Sequence, residues 1–370
     1  MKARSLVLRL HLLIGLSTGG LLLLLGSSGA VLVFRSEIDE AFGAPVQTAA
    51  TGAPVTLQAL VDAARRRHPV FRPTGLVLPE HDGRPARVGM VDSLGGDLEV
   101  LVDPHTGEVL GSRWVERSPL HALRLLHAEL YMGPRGSVAV GLLGVWLLVQ
   151  GVTGLYLWWP FVSRPGRGFA IRWSRPWPVV GYDLHRAVGV LSLLFNVPVA
   201  LTGVLLGLAA LAPPAPGLVP PPLASGARPG LVPLPLDAVA RRADTVLPGG
   251  RLVSLRLSGD GEGVALVRKR MPGDLDPRGS SLVLVDPYGG RILGVSDARQ
   301  ARWARYLWPL VTRLHFGDFG GIVSKALYAV GGLTYSVLVV TGYVVWLSRP
   351  RARVGTAREH GALETAGPRR

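Results

Sequence analysis

Four long stretches without a charged residue constrain this chain most: Leu12 to Phe34, Gly136 to Ser163, Ala187 to about Ala212, and Ala326 to Ser348. Roughly 20 apolar residues cross a hydrocarbon core about 30 Å thick, so each is long enough to span a bilayer. Composition bears on what else the chain does. The net charge of +15 comes almost entirely from Arg, since Lys occurs only at 2, 269 and 325. Such a balance suits nucleic acid or an anionic membrane surface. No basic helix interleaved with aromatics occurs outside the apolar runs, so we read membrane lipid as the partner and expect no nucleic acid. The absence of Cys excludes disulfides, thiolate zinc sites, Cys-ligated iron–sulfur clusters and covalent haem attachment.

Short flanks set the orientation. Ser163 to Val180 carries Arg164, Arg167, Arg172 and Arg175 and no acid; the N-terminal flank has Lys2, Arg4 and Arg9, and the C-terminal flank Arg349, Arg351 and Arg353. The positive-inside rule makes these segments cytoplasmic and the two long connections external. The expected division is a first span in 1–35, an outer α+β module with an interfacial helix in 36–134, a second span in 135–163 and a cytoplasmic loop in 164–180. A third span in 181–212, a second outer module with its interfacial helix in 213–317, a fourth span in 318–348 and a cytoplasmic tail in 349–370 complete it. The fold class is thus a four-span α-helical membrane bundle, a duplicated two-span unit, bearing two outer α+β modules.

Each outer segment reads as a helix followed by strands. Leu57 to Arg67 and Leu236 to Val246 have helical periodicity. Strand-like runs follow near 74–78, 86–91 and 98–102, and near 252–257, 263–268 and 281–285. Turns at Asp103-Pro104-His105-Thr106-Gly107 and Asp286-Pro287-Tyr288-Gly289-Gly290 close both sets.

The duplication continues into the spans. His11 is followed 18 residues later by Gly29, and His185 by Gly203 at the same distance; His127 precedes Gly154 by 27 residues, as His315 precedes Gly342. Trp158 and Trp346 each lie 31 residues after their histidine. Lys2, Arg4, the leucine run and the small residues Gly26 to Ala30 also resemble a secretory signal peptide. Cleavage there would delete half of the duplication, so the first span is read as retained.

The topology sorts the four histidines. His11 and His185 begin outward-running spans at the cytoplasmic edge; His127 and His315 precede inward-running spans at the outer edge. Eighteen helical residues rise about 27 Å, which brings Gly29 and Gly203 to the outer histidines and Gly154 and Gly342 to the inner ones. Two non-covalent b-type haems require this pattern. Each iron takes two axial imidazoles from facing helices, and Gly leaves room for a flat porphyrin. His11, His127, His185 and His315 are the candidate ligands, with Gly29, Gly154, Gly203 and Gly342 as the candidate cofactor-binding glycines. No catalytic side chain is singled out. Interfacial histidines with packing glycines, a His-based metal site and a proton relay are the competing readings. His121 reads as interfacial, His68, His81 and His105 as solvated, and His360 as part of a polar tail. Arg9, Arg124, Arg186 and Arg313 flank the ligands and suit propionates, or simply snorkel.

These residues resemble the PepSY-associated transmembrane family, which includes the PiuB-type iron-regulated membrane proteins and the FoxB-type siderophore reductases. The resemblance covers about residues 5–348. It rests on Leu10-His11, the two Asp-Pro turns with their Gly followers, His127, Asp183-Leu184-His185-Arg186, Leu314-His315 and the four Ser/Thr-Gly pairs, the first being Ser28-Gly29 where Thr-Gly is usual. It implies a bacterial inner-membrane protein with periplasmic PepSY modules. For the siderophore reductases it also implies haem-dependent electron delivery to ferric siderophores, with ligands matching His11, His127, His185 and His315. No flavin or nicotinamide fingerprint is present, so the expected donor is a quinol or a separate reductase. The resulting expectation is a di-haem cytochrome acting as a ferric-siderophore reductase. A non-enzymatic, membrane-anchored PepSY binding or regulatory protein is the rival from another class. A small transporter is a weaker one, because both halves share one orientation.

Overall fold

The computed structural model describes residues 2–42, 48, 52–211, 232–257, 264–300 other than 275 and 277, and 304–348. Arg349, Arg351, Arg353, His360 and the end of the third apolar stretch at Ala212 lie outside the described residues.

The chain opens with α1 (Lys2–Leu32) and the short α2 (Arg35–Phe42). Helix α3 (Leu57–Arg67) leads into β1 (Arg72–Val77), β2 (Ala86–Val91), β3 (Asp97–Val102) and β4 (Val109–Trp114). Helices α4 (Pro119–Glu129), α5 (Gly133–Trp158), α6 (Pro165–Phe169) and α7 (Trp177–Ala209) follow. The second outer segment repeats the first: α8 (Leu236–Val246), β5 (Arg251–Leu257), β6 (Ala265–Arg270), β7 (Ser281–Val285) and β8 (Ile292–Ser296), then α9 (Ala304–Phe316) and α10 (Gly321–Leu347).

Among the described residues, helices α1, α5, α7 and α10 are the four long and apolar enough to cross a membrane. Helices α1, α7 and α10 run longer than the charge-free stretches because their ends continue into polar flanks, so His11 and His185 sit inside helices. Helix α5 stops short of Ser163, where Trp159–Phe161 tightens into a single 3-10 turn around Pro160. Between α4 and α5 the chain reverses through Leu130 and Tyr131, both at positive φ, and then Gly133. The Tyr131 hydroxyl donates to the Ala122 carbonyl at 2.7 Å and ties this turn to α4.

The two strand sets form one antiparallel sheet of order β4-β3-β2-β1-β5-β6-β7-β8. Strands β1 and β5 join the halves, with Leu76 opposite Leu255. Gly75 permits the join, because a Cβ there would lie 2.8 Å from the Leu255 carbonyl oxygen. Alternation puts Val88, Val100, Val267 and Val283 on one face, and α3 and α8 cover it with Leu60, Val61, Val239 and Ala243. The helices also cap each other. Asp237 of α8 accepts from the backbone N–H of Leu57 and Gln58 at 2.9 and 3.1 Å, and Gln58 accepts from Leu236 N–H at 3.2 Å.

Each half has a fourth strand beyond those the alternation showed. The Asp-Pro turns create it. Asp103 accepts from the N–H of His105 and Asp286 from that of Tyr288, while Gly107 and Gly290 take the positive φ that closes each hairpin.

Candidate functional site

The bundle brings the four repeated histidines together as two pairs. His11 of α1 and His185 of α7 have ring centroids 6.2 Å apart, at an interplanar angle of 87°. His127 of α4 and His315 of α9 are also 6.2 Å apart, at 53°. The second pair lies at the sheet end of the bundle, because α4 and α9 each follow a strand set directly.

One small motif seats every histidine. The Nδ1 of His11 lies 2.9 Å from Thr153 Oγ1, that of His127 3.0 Å from Ser28 Oγ, that of His185 3.1 Å from Thr341 Oγ1, and that of His315 3.0 Å from Thr202 Oγ1. Each hydroxyl already donates its proton one turn back along its own helix, to the carbonyl of Val149, Leu24, Val337 or Pro198. It therefore accepts from the imidazole, and Nδ1 carries the proton. For His127 and His185 the Leu25 and Leu338 carbonyls, at 2.9 and 3.0 Å, require the same tautomer. Every Nε2 is left with its lone pair, as metal ligation demands. Burial lowers the pKa of His127. At His315 burial, then the neighbouring His127, lowers it to about 4.

The glycine after each hydroxyl lies against a ring. A Cβ on Gly154 or Gly203 would lie 3.3 Å from the Cε1 of His11 or His315, one on Gly342 3.3 Å from that of His185, and one on Gly29 2.9 Å from that of His127. The glycines thus make room for the imidazole edge. Spacing alone places each glycine at the right depth but cannot say which neighbour it faces.

The centroid separation in each pair matches that of two imidazoles on one metal ion. Metal–imidazole bonds of about 2.0 Å, with each nitrogen about 1.1 Å from its ring centre, put the centroids roughly 6.2 Å apart. Two imidazoles would leave the remaining positions on an iron to a second ligand group, such as a porphyrin. Among the described residues, no three His, Asp or Glu side chains gather as a site for a bare ion.

The flanking arginines differ in what remains open. Arg186 donates to the Gly168 and Ala170 carbonyls and pairs with buried Asp183 at 3.3 Å. Arg124 pairs with Glu129 at 2.8 Å, and Arg9 is exposed. Arg313 keeps a buried Nε with no partner among the described residues, two residues from His315. Trp158 does the same with its Nε1, one helical turn beyond Gly154. A propionate carboxylate is an acceptor suited to both. His68 and His105 are half-buried rather than solvated. His68 packs edge-on against Phe71, and His105 Nδ1 donates to the Gly52 carbonyl at 2.8 Å. His81 is exposed and His121 half-exposed.

The sequence profile of the PepSY-associated TM region matches residues 8–349, and the chain belongs to that family. An uncharacterized protein of Pseudomonas aeruginosa is 30% identical over 270 residues, which cover 64% of this chain and 66% of that protein. The chain thus spans about two thirds of the relative's length.

Proposed function

We propose that this member of the PepSY-associated family is a di-haem b-type cytochrome. It carries electrons across the bacterial inner membrane to a periplasmic acceptor, a ferric siderophore, and so acts as its reductase. The observation that carries this reading is the pair of matched imidazole pairs, each with Nδ1 committed and Nε2 available. A haem bound at each pair supplies a one-electron couple.

The residues divide the work. His11 and His185 hold the centre at the loop end of the bundle, and His127 and His315 hold the one at the sheet end. Thr153, Thr341, Ser28 and Thr202 orient the rings, while Gly154, Gly342, Gly29 and Gly203 admit them. The two histidines of a pair would hold the iron from both sides and leave no open position for oxygen or substrate, which suits electron transfer. The arginine-rich 164–180 loop supports an orientation with the first pair on the cytoplasmic side and the sheet in the periplasm. The donor in this scheme is a quinol or a separate reductase. Reduction weakens the hold of hard oxygen ligands on iron and releases it for uptake.

The test is pyridine haemochrome analysis of protein purified in detergent from haem-replete cells. Two non-covalent haems per chain are expected. Colourless protein overturns the reading and leaves the non-enzymatic PepSY binding protein in its place.

A further inference from the structure

The two faces of the sheet differ in charge. The face away from α3 and α8 carries arginines along its length, and its halves treat them differently. In the first half, Glu99 takes Arg113 at 2.7 Å and Arg87 at 3.6 Å, and Arg113 reaches Asp39 of α2 at 3.5 Å. Those arginines are neutralised.

In the second half, Arg256 of β5 stands opposite Leu266 of β6, which makes Arg268 its diagonal neighbour on the same face. Arg278, from the loop before β7, joins them. Arg268 donates to the Gly279 carbonyl at 3.0 Å, a neutral partner. Asp276 holds Arg278 at 3.1 Å. Three guanidinium groups thus share one carboxylate among the described residues. Burial, with Arg278 and Arg256 close by, lowers the pKa of Arg268 despite Asp276. The cluster adjoins the redox end of the bundle. The Arg278 guanidinium lies 6.0 Å from the centre of the Phe316 ring, and that ring is 5.8 Å from the His315 ring.

We propose that Arg256, Arg268 and Arg278 form a binding site for an anionic ferric chelate, with iron wrapped in carboxylate or catecholate oxygens, beside the His127–His315 pair. That the bound ion is ferric rests on the proposed reductase function; the preference for an anion rests on the charges alone. Like charges in excess of the carboxylates among the described residues, two of them on strands, concentrate a counter-charged ligand and raise its on-rate. Guanidinium forks bind carboxylate and phenolate oxygens directly. A cationic or neutral hydroxamate complex gains nothing from the cluster.

The experiment uses the full chain in phosphatidylcholine nanodiscs and redox-inert gallium(III), which reads binding independently of electron transfer. Calorimetry compares an anionic tris-catecholate complex of gallium with a neutral tris-hydroxamate complex of similar size. The anionic complex is expected to bind about tenfold tighter or more, and to weaken as salt is raised. The double substitution Arg256→Gln, Arg268→Gln is expected to cost about tenfold, and Arg256→Lys, Arg268→Lys to recover most of it. Equal affinity for both complexes, no binding, or indifference to the Gln substitutions overturns the proposal. Adding phosphatidylglycerol tests a lipid headgroup as the occupant. Suppression of chelate binding by that lipid in wild type, equal to the effect of the Gln pair, assigns the arginines to the membrane and overturns the proposal. The absorption spectrum of the same samples separates the two readings. Two haems without chelate binding leave the cytochrome standing and remove this site. Chelate binding to haem-free protein does the reverse.

Discussion

At the scale of single residues, the proposed function depends on a hydroxyl and a missing side chain placed next to each histidine. The hydroxyl, joined by a backbone carbonyl at His127 and His185, decides which ring nitrogen is free. Thr153→Val keeps the shape but removes the acceptor that His11 Nδ1 uses at 2.9 Å. Outer partners of this kind are worth about 10–100-fold in metal affinity. We expect Thr153→Val to weaken haem retention within that range and to shift the reduction midpoint of one centre, with Thr153→Ser restoring both. Redox titration followed by absorbance measures this, and an unchanged midpoint with Val would make the hydroxyl a packing atom. The glycines give a graded prediction. The Cβ clearance at Gly29 is 2.9 Å against 3.3 Å at Gly203. Gly29→Ala should therefore lower haem occupancy of the sheet-end centre more than Gly203→Ala, as counted by haemochrome. Equal losses would show that the bundle gives way equally around both rings.

Among elements, the decisive contacts join the two halves. Asp237 caps a helix 180 residues earlier in the chain, at the N-terminus of α3, where a carboxylate also meets the positive end of the helix dipole. Replacing a capping Asp with Ala costs about 0.5–2 kcal/mol. Asp237→Ala should lower the stability of the sheet by that amount and speed hydrogen exchange at the Leu57 and Gln58 amides. Unchanged exchange at those two amides would mean that other groups satisfy them. Several elements were legible from local pattern. The apolar/polar alternation placed β2 at 86–91 as found, and the periodicity of Leu57 to Arg67 matches α3. The fourth strands were not legible. Val109–Trp114 contains a Gly and an Arg and lies on an edge, where one side needs no partner and the alternation weakens.

For the whole molecule, the two histidine pairs make a prediction that local structure cannot. His11→Ala and His185→Ala should remove one and the same centre, and His127→Ala and His315→Ala the other. Each substitution should leave about one haem per chain. Low-temperature difference spectra of the four variants distinguish the centres. Loss of one centre by both His11→Ala and His127→Ala would overturn the pairing.

What the sequence determined by itself is what a regular helix makes periodic. A rise of about 1.5 Å per residue turns the spacings from His11 to Gly29 and from His127 to Gly154 into depths, so spans, duplication and the level of each histidine follow from counting. Tertiary structure decided what counting cannot reach. It joined the outer segments into one sheet through Leu76 and Leu255, and it turned each glycine toward an imidazole edge. It also left Arg313 with an open donor while committing Arg186 to Asp183. These outcomes depend on which surfaces meet across long stretches of chain, and strand pairing and side-chain direction there are set by packing rather than by local period.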